Sequence, residues 1–233
     1  MNRRKITVGV TGLNNIDSPG PGIPVIRALK ESTAFDVKII GLSYESLEPG
    51  LYMHELVDKS YAIPLPSAGS QALFNRIQYI HSVEHLDVII PNFDAELHNF
   101  ILLSPQLKQQ LNIATFMPSR EVFDSRHKSD LPEFGKKYNI NVPKSSMIFS
   151  IKDLKKIEED YEYPMVIKGK FYDAFIAYNQ EQAISYFHKI SAKWGLPIIV
   201  QEYVSGTEVN VTAIGDGEGT CIGAVAMRKL YIT

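Results

Sequence analysis

The first half of the chain alternates short apolar runs with segments of helical period, and that alternation leaves few folds open. Ile6–Val10, Val37–Leu42 and Val88–Ile90 have the length and, Thr7 and Lys38 apart, the apolar make-up of strands buried in a sheet. Between them, Ile23–Lys30 reads as a helix with Pro24 in its first turn, and Gln71–Val83 carries Leu73, Phe74, Ile77, Ile80 and His81 at helical spacing. Pro91 stops the third run, and Asp94 is placed to cap a further helix through Leu97 and Ile101. A parallel sheet covered by helices satisfies all of these segments at once, so the fold class is α/β.

The character changes after about Phe116. Ser119–Tyr138 reads as charged and helical, broken near Pro132, and is followed by a short strand at Met147–Phe149. Ser150 with Asp153 resembles a capping-box start for a helix over Ile151–Tyr161. Strands are expected at Met165–Lys168 and Phe175–Tyr178. Asn179 then caps a helix in which Ala183, Ile184, Phe187, Ile190 and Trp194 share a face, closed by Gly195. Ile198–Glu202, Glu208–Ile214 and Cys221–Leu230 read as further strands, the last two joined as a hairpin through Asp216-Gly-Glu-Gly219. The break between the two halves is drawn at residues 118/119, giving domains 1–118 and 119–233.

Charge and composition exclude several function classes. Lys+Arg 24 against Asp+Glu 26 gives a net charge of −2, so no global basic field attracts nucleic acid or an anionic membrane. No apolar segment approaches the roughly 20 residues needed to span a bilayer, and Ile6–Val10 is too short for a signal-peptide core. A cytoplasmic protein is the expectation. The one cysteine, Cys221, allows no internal disulfide and reads as a buried, inert thiol in its strand. His81 and His85 are spaced to share a helix face but lack a third ligand, so their reading is structural.

Two sets of residues suggest chemistry. In the first half, the loop from Gly12 to Gly22 follows the first strand, which places Gly12, Asn14 and Asn15 where small ligands meet parallel sheets. The loop has neither dinucleotide nor Walker spacing, and it reads as a ligand-contacting loop or as a long turn kept open by Gly and Pro. Asp94 and Glu96 occupy a similar place after the third strand; facing a substrate amine or metal and serving the helix N-terminus explain them equally, with capping favoured for Asp94.

In the second half, Ile198-Ile-Val-Gln-Glu202-Tyr203-Val204-Ser-Gly-Thr-Glu208 joins an apolar run ending in a glutamate to a tight turn and a second glutamate. The pattern suits an adenine nucleotide: backbone groups at Tyr203 and Val204 read the base edge, Glu202 accepts from its amino group, and Glu208 holds ribose hydroxyls. Pro164-Met-Val-Ile-Lys168 delivers a lysine from an apolar strand, where a polyphosphate would supply the counter-charge.

These residues resemble the ATP-grasp superfamily, in particular the ATP-binding region of proteins like the large subunit of carbamoyl-phosphate synthetase. Val10-Thr-Gly-Leu-Asn-Asn15 and Asp87-Val-Ile-Ile-Pro-Asn-Phe-Asp-Ala-Glu-Leu97 mark a Rossmann-like pre-ATP-grasp domain, and Ser125-Arg-His-Lys128 through Pro143 opens an incomplete α+β ATP-grasp domain. The resemblance implies that Lys128 touches nucleotide phosphates, that Lys168 binds phosphate and adenine, that Glu202, Tyr203 and Val204 form the hinge on the base, and that Glu208 holds ribose. Arg228, with Lys229, is implied to reach a γ-phosphate or acyl-phosphate. Two departures stand out. Gly169-Lys-Phe-Tyr-Asp-Ala-Phe-Ile-Ala177 replaces the usual glycine- and serine-rich phosphate loop, and the family's magnesium-binding acidic residue and Glu-x-Asn pair would fall after Thr233.

The implied function is the ATP-binding part of a carboxylate–amine ligase working through an acyl-phosphate. ATP is its cofactor, Mg2+ is expected only in a complete protein, and small-molecule carboxylate and amine are its substrates. This chain alone is then a truncated piece that does not turn over. The alternatives are a non-catalytic nucleotide- or metabolite-binding lobe completed by a partner chain or homo-oligomer, and an unrelated Rossmann-type binder that uses only the first loop.

Overall fold

The computed structural model describes residues 3–15, 20–125, 131–157, 159–169 and 173–230. The chain divides into two units, Met1–Arg120 and Glu121–Thr233, two residues beyond the break drawn from sequence.

The first unit is built on a four-stranded sheet of order β3-β2-β1-β4, all parallel: β1 (Arg4–Val10), β2 (Phe35–Ser43), β3 (Lys59–Ala62) and β4 (Val88–Ile90). Its helices are α1 (Gly22–Glu31), α2 (Ser70–Glu84) and α3 (Asp94–Leu111). Core side chains lie on both faces of the sheet: Ile26 of α1 packs with Val8, Val10 and Ile39, while Phe74 and Ile77 of α2 and Phe100 of α3 pack with Ile40, Leu42 and Ile89. Continuous apolar strands demand this double cover. β3 was not foreseen, because Lys-Ser-Tyr-Ala is an edge strand with no buried residue. The strand order reverses between β1 and β4, which makes their carboxyl ends the switch point where ligands enter such sheets.

α4 (Arg120–Asp124) begins on the last residue of the first unit, and in the second unit α5 (Leu131–Tyr138) precedes β5 (Ser145–Ile148) and α6 (Ile151–Ile157). Pro132 sits in the first turn of α5, where its missing N–H costs nothing, and so does not break that helix. β6 (Met165–Gly169), β7 (Ala174–Ala177), α7 (Gln180–Trp194) and β8 (Ile198–Glu202) follow. These strands form an antiparallel sheet of order β5-β8-β6-β7. Asn179 caps α7 by accepting from the Gln182 amide at 2.9 Å, and Gly195 ends it with φ +76°. One sheet face, with Ile148, Met165, Ile167, Ile198 and Val200, is packed on Leu154 of α6 and on Ala183, Phe187 and Ile190 of α7.

β9 (Val209–Gly215) and β10 (Cys221–Arg228) form a separate antiparallel hairpin. Asp216 Oδ1 accepts from the amides of Glu218 and Thr220 at 2.7 and 3.0 Å, which closes the turn. Every residue of both strands is exposed, Cys221 included, so the buried thiol expected from its apolar neighbours is corrected. Its strand pairs only with β9, and neither face of that ribbon is covered among the described residues.

Candidate functional site

At the switch point of the first unit, one carboxylate organises the strand exits. Glu96 is fully buried, and its Oε1 accepts from Thr11 Oγ1 (2.5 Å) after β1 and from the amides of Asn92 (2.8 Å) and Phe93 (2.9 Å) after β4. Its Oε2 accepts from the hydroxyl of Tyr44, just past β2. Asn92 adds bonds from its side-chain amide to the carbonyls of Thr11 and Ile90, both 3.0 Å. Three loops distant in sequence are thus tied to a residue in the first turn of α3. Burial, and then Glu96, hold the Tyr44 phenol well above its ordinary range. Burial also raises the carboxyl of Glu48, which accepts from the Tyr44 amide at 2.7 Å through Oε1 while its Oε2 is buried without a partner.

Sequence reasoning assigned the capping to Asp94. The structure assigns it to Glu96: the helix begins at Asp94, Phe93 is its N-cap residue, and the Glu96 side chain returns to the Phe93 amide. Gly12 has φ +79°, and a Cβ there would lie 2.9 Å from Cβ of Asn92, so only glycine lets the β1 exit turn against the β4 exit. Gly22 donates to the Gly12 carbonyl at 2.9 Å, and Gly20 to that of Asn14 at 2.8 Å, which closes the loop base. Asn14 is half-buried and Asn15 exposed; residues 16–19 of the loop lie outside the described residues.

In the second unit, antiparallel register decides which hinge residues share a face. Lys168 pairs with Ile199, Val166 with Gln201, and Met165 with Glu202. Cross-strand partners point the same way. Lys168 and Gln201 therefore stand with Met147, Val166 and Ile176 on the face away from α6 and α7, and Lys168 Nζ donates to Gln201 Oε1 at 2.8 Å. Glu202 belongs with Met165 on the other side. Its Oε1 accepts from the Lys144 amide at 2.9 Å, and its own amide donates to the Lys144 carbonyl at 2.9 Å. This two-way clamp ties the end of β8 to the start of β5. A cavity of about 470 Å3 opens there, lined in part by Lys144, Asp160, Tyr161, Glu162, Glu202 and Tyr203.

Lys168 and Glu202, joined in the sequence reading as one base-and-phosphate set, thus leave their sheet on opposite sides. Tyr203 and Val204 follow as exposed residues. Glu208 pairs with Lys229 at 3.1 Å, next to Arg228 at the open end of the hairpin. Lys128 lies outside the described residues, as do residues 170–172 of the atypical loop. The near end of that loop is fixed by Asp173, which accepts from Trp194 Nε1 at 2.7 Å and Lys193 Nζ at 3.2 Å. The residue missed by sequence reasoning is Gln201. Its signal was a polar side chain in an otherwise apolar strand, one position before the glutamate.

Among the described residues no three of His, Cys, Asp or Glu come together as a metal-binding group, and no helix is long and apolar enough to cross a membrane.

No protein-family model matches the chain. It is 26% identical over 202 residues to the phosphoribosylamine–glycine ligase of Helicobacter pylori strain 26695, covering 80% of this chain and 46% of that relative. It is 25% identical over 118 residues to the carbamoyl phosphate synthase large chain of Thermoanaerobacter sp. strain X514, covering 48% of this chain and 11% of the relative. The chain therefore spans less than half the length of these relatives. Among solved structures, the ADP complex of an N5-carboxyaminoimidazole ribonucleotide synthetase matches 100% of this chain and 56% of its own, with a TM-score of 0.71 at 15% identity. The chain thus has the fold of about half of that synthetase, and its curated relatives, an amine ligase and a carbamoyl phosphate synthase chain, are consistent with the ATP-grasp resemblance read from the sequence.

Proposed function

We propose that the chain carries the ATP-binding half of an ATP-dependent ligase that joins a small carboxylate to an amine. The observation that supports this most directly is Lys168, held on the open face of the β5-β8-β6-β7 sheet beside a strand that runs into the Glu202–Val204 hinge. A base lying on Met147, Val166 and Ile176 would meet the backbone of Tyr203 and Val204 at its edge. Glu202, whose side chain leaves the sheet on the other side with Oε1 bound to the Lys144 amide, would fix the course of the hinge backbone rather than touch the base itself. Glu208 would accept from ribose hydroxyls, and the Lys168 ammonium would offset phosphate charge. Lys128 and Arg228 are proposed as further phosphate contacts, and Gly12, Asn14, Asn15 and Asp94 as contacts of the carboxylate or amine substrate.

In the reaction, a carboxylate oxygen attacks the γ-phosphorus and ADP leaves. The amine nitrogen then attacks the acyl carbon, phosphate leaves, and the nitrogen loses a proton. The groups that move that proton are not assigned to this chain.

Titration calorimetry with ATP tests the nucleotide site. Lys168→Ala should weaken binding about tenfold to a hundredfold, the range for a charged hydrogen bond to phosphate. Equal binding by wild type and variant refutes the proposal. A second reading, a binding lobe completed by a partner chain or a second copy, is favoured by the uncovered hairpin, where Val211, Ile214 and Val225 are all exposed. A concentration-independent monomer in light scattering argues against self-association.

A further inference from the structure

The sheet register singles out Gln201, a side chain that neither the hinge motif nor the phosphate lysine accounts for. In an apolar central strand, a carboxamide needs a partner to be tolerated. Ile198, Ile199 and Val200 before it are all buried, and it stands half-buried on the face that carries Lys168. Its Oε1 receives the Lys168 ammonium at 2.8 Å, a charge-assisted bond. The carbonyl end is thereby spent on the lysine, and a carboxamide so held presents its NH2 group as a donor on the same face. Glu202, one position later, is excluded from this role by the pleat, since its cross-strand partner is Met165 on the helix-covered side and its Oε1 is held by the Lys144 amide.

We infer that Gln201 is a positioning residue of the nucleotide site: it holds the Lys168 ammonium over the open face so that its charge meets the phosphates, and its NH2 group adds a donor beside it. The inference rests on the nucleotide-binding reading above and adds to it the residue that orients the lysine. A lysine stem has four rotatable carbons, and fixing its head before the ligand arrives removes part of the ordering cost of binding.

The test is a double-mutant cycle read by titration calorimetry with two probes, ATP and adenosine. Gln201→Met, close in length and without an acceptor for the ammonium, should weaken ATP binding about tenfold. It should leave adenosine affinity within about twofold, since adenosine has no phosphate for Lys168 to meet. In the Lys168→Ala background, Gln201→Met should cost less than about threefold, because the residue it orients is gone. Gln201→Glu supplies an acceptor of the same reach and should form an ion pair with Lys168, seen as a larger salt dependence of unfolding than in Gln201→Met.

Three results would overturn the inference: unchanged ATP affinity in Gln201→Met, equal loss of ATP and adenosine, or an undiminished effect in the Lys168→Ala background. If Gln201→Met does not fold, the Gln201→Glu variant decides, since the proposal requires its ATP affinity to drop through the added negative charge while adenosine binding stays. Wild-type protein that binds neither probe fails the nucleotide reading and this inference together. Wild-type binding with a flat cycle fails this inference alone.

Discussion

Replacing Glu96 by alanine should destabilise the first unit severely while leaving the second almost untouched. The carboxylate is fully buried and accepts from Thr11 Oγ1, the amides of Asn92 and Phe93, and the Tyr44 hydroxyl. Truncation leaves Thr11 Oγ1, the Phe93 amide and the Tyr44 hydroxyl without their acceptor and the Asn92 amide with only its bond to Thr11 Oγ1, at about 1–1.5 kcal/mol each, or on the order of 5 kcal/mol in all. Removing the carboxylate also removes its own desolvation cost, which returns about 2 kcal/mol, so a net loss of about 3 kcal/mol is expected. Glu96→Gln keeps one oxygen for Thr11, Asn92 and Phe93 and should cost only about 1 kcal/mol. Urea unfolding should be followed by two probes. Far-ultraviolet circular dichroism sees both units, whereas the single tryptophan, Trp194, lies in the second and reports it through fluorescence. In Glu96→Ala the dichroism should show an early transition with no matching change in fluorescence. A loss below about 1 kcal/mol would refute the view that this carboxylate ties the three strand exits together.

Two further outcomes follow from the charges and the thiol. Burial opposes ionisation of Glu84, yet hydrogen bonds from Lys38 (2.7 Å), Tyr61 (2.5 Å) and Lys59 (2.9 Å) outweigh it and bring its pKa from 4.5 down to about 2. The depressed value means a stabilising contribution that is complete above pH 4.5 and lost as the pH falls through about 2. Because both lysines are about half exposed, solvent screening reduces it to on the order of 1–2 kcal/mol. Wild type should lose that much relative to Glu84→Gln between pH 5 and pH 2, and parallel urea midpoints over that window would count against the assignment. Cys221, exposed in the hairpin, should react stoichiometrically with a thiol reagent in native buffer; protection until denaturant is added would mean that the hairpin is covered.

Local patterns carried much of the architecture. Strands whose faces are both apolar have to be buried in a helix-covered parallel sheet, and the spacing of Leu73, Phe74, Ile77 and Ile80 makes α2 a helix whatever it packs against. The Asn179 cap and the Gly195 stop are likewise interactions within a turn of their own residue, so they are legible without the rest of the molecule. The hinge motif and the strand-borne lysine were visible for the same reason.

What remained hidden depends on partners far along the chain. Glu96 looked like one of two acidic residues at a helix start; that it is buried follows from Thr11, 85 positions away, and Tyr44, 52 away. Glu84 became the anchor of Lys38 and Lys59 only when β2, β3 and the end of α2 met. The placement of Gln201 beside Lys168, with Glu202 on the opposite side, follows from the β6–β8 register, which a shift of one residue would invert. Sequence alone determined the periods, the caps and the superfamily resemblance, because those reside in neighbouring residues. Tertiary structure alone decided which side chains face one another, because strand register and burial of charge are set by groups that meet only after the chain has folded.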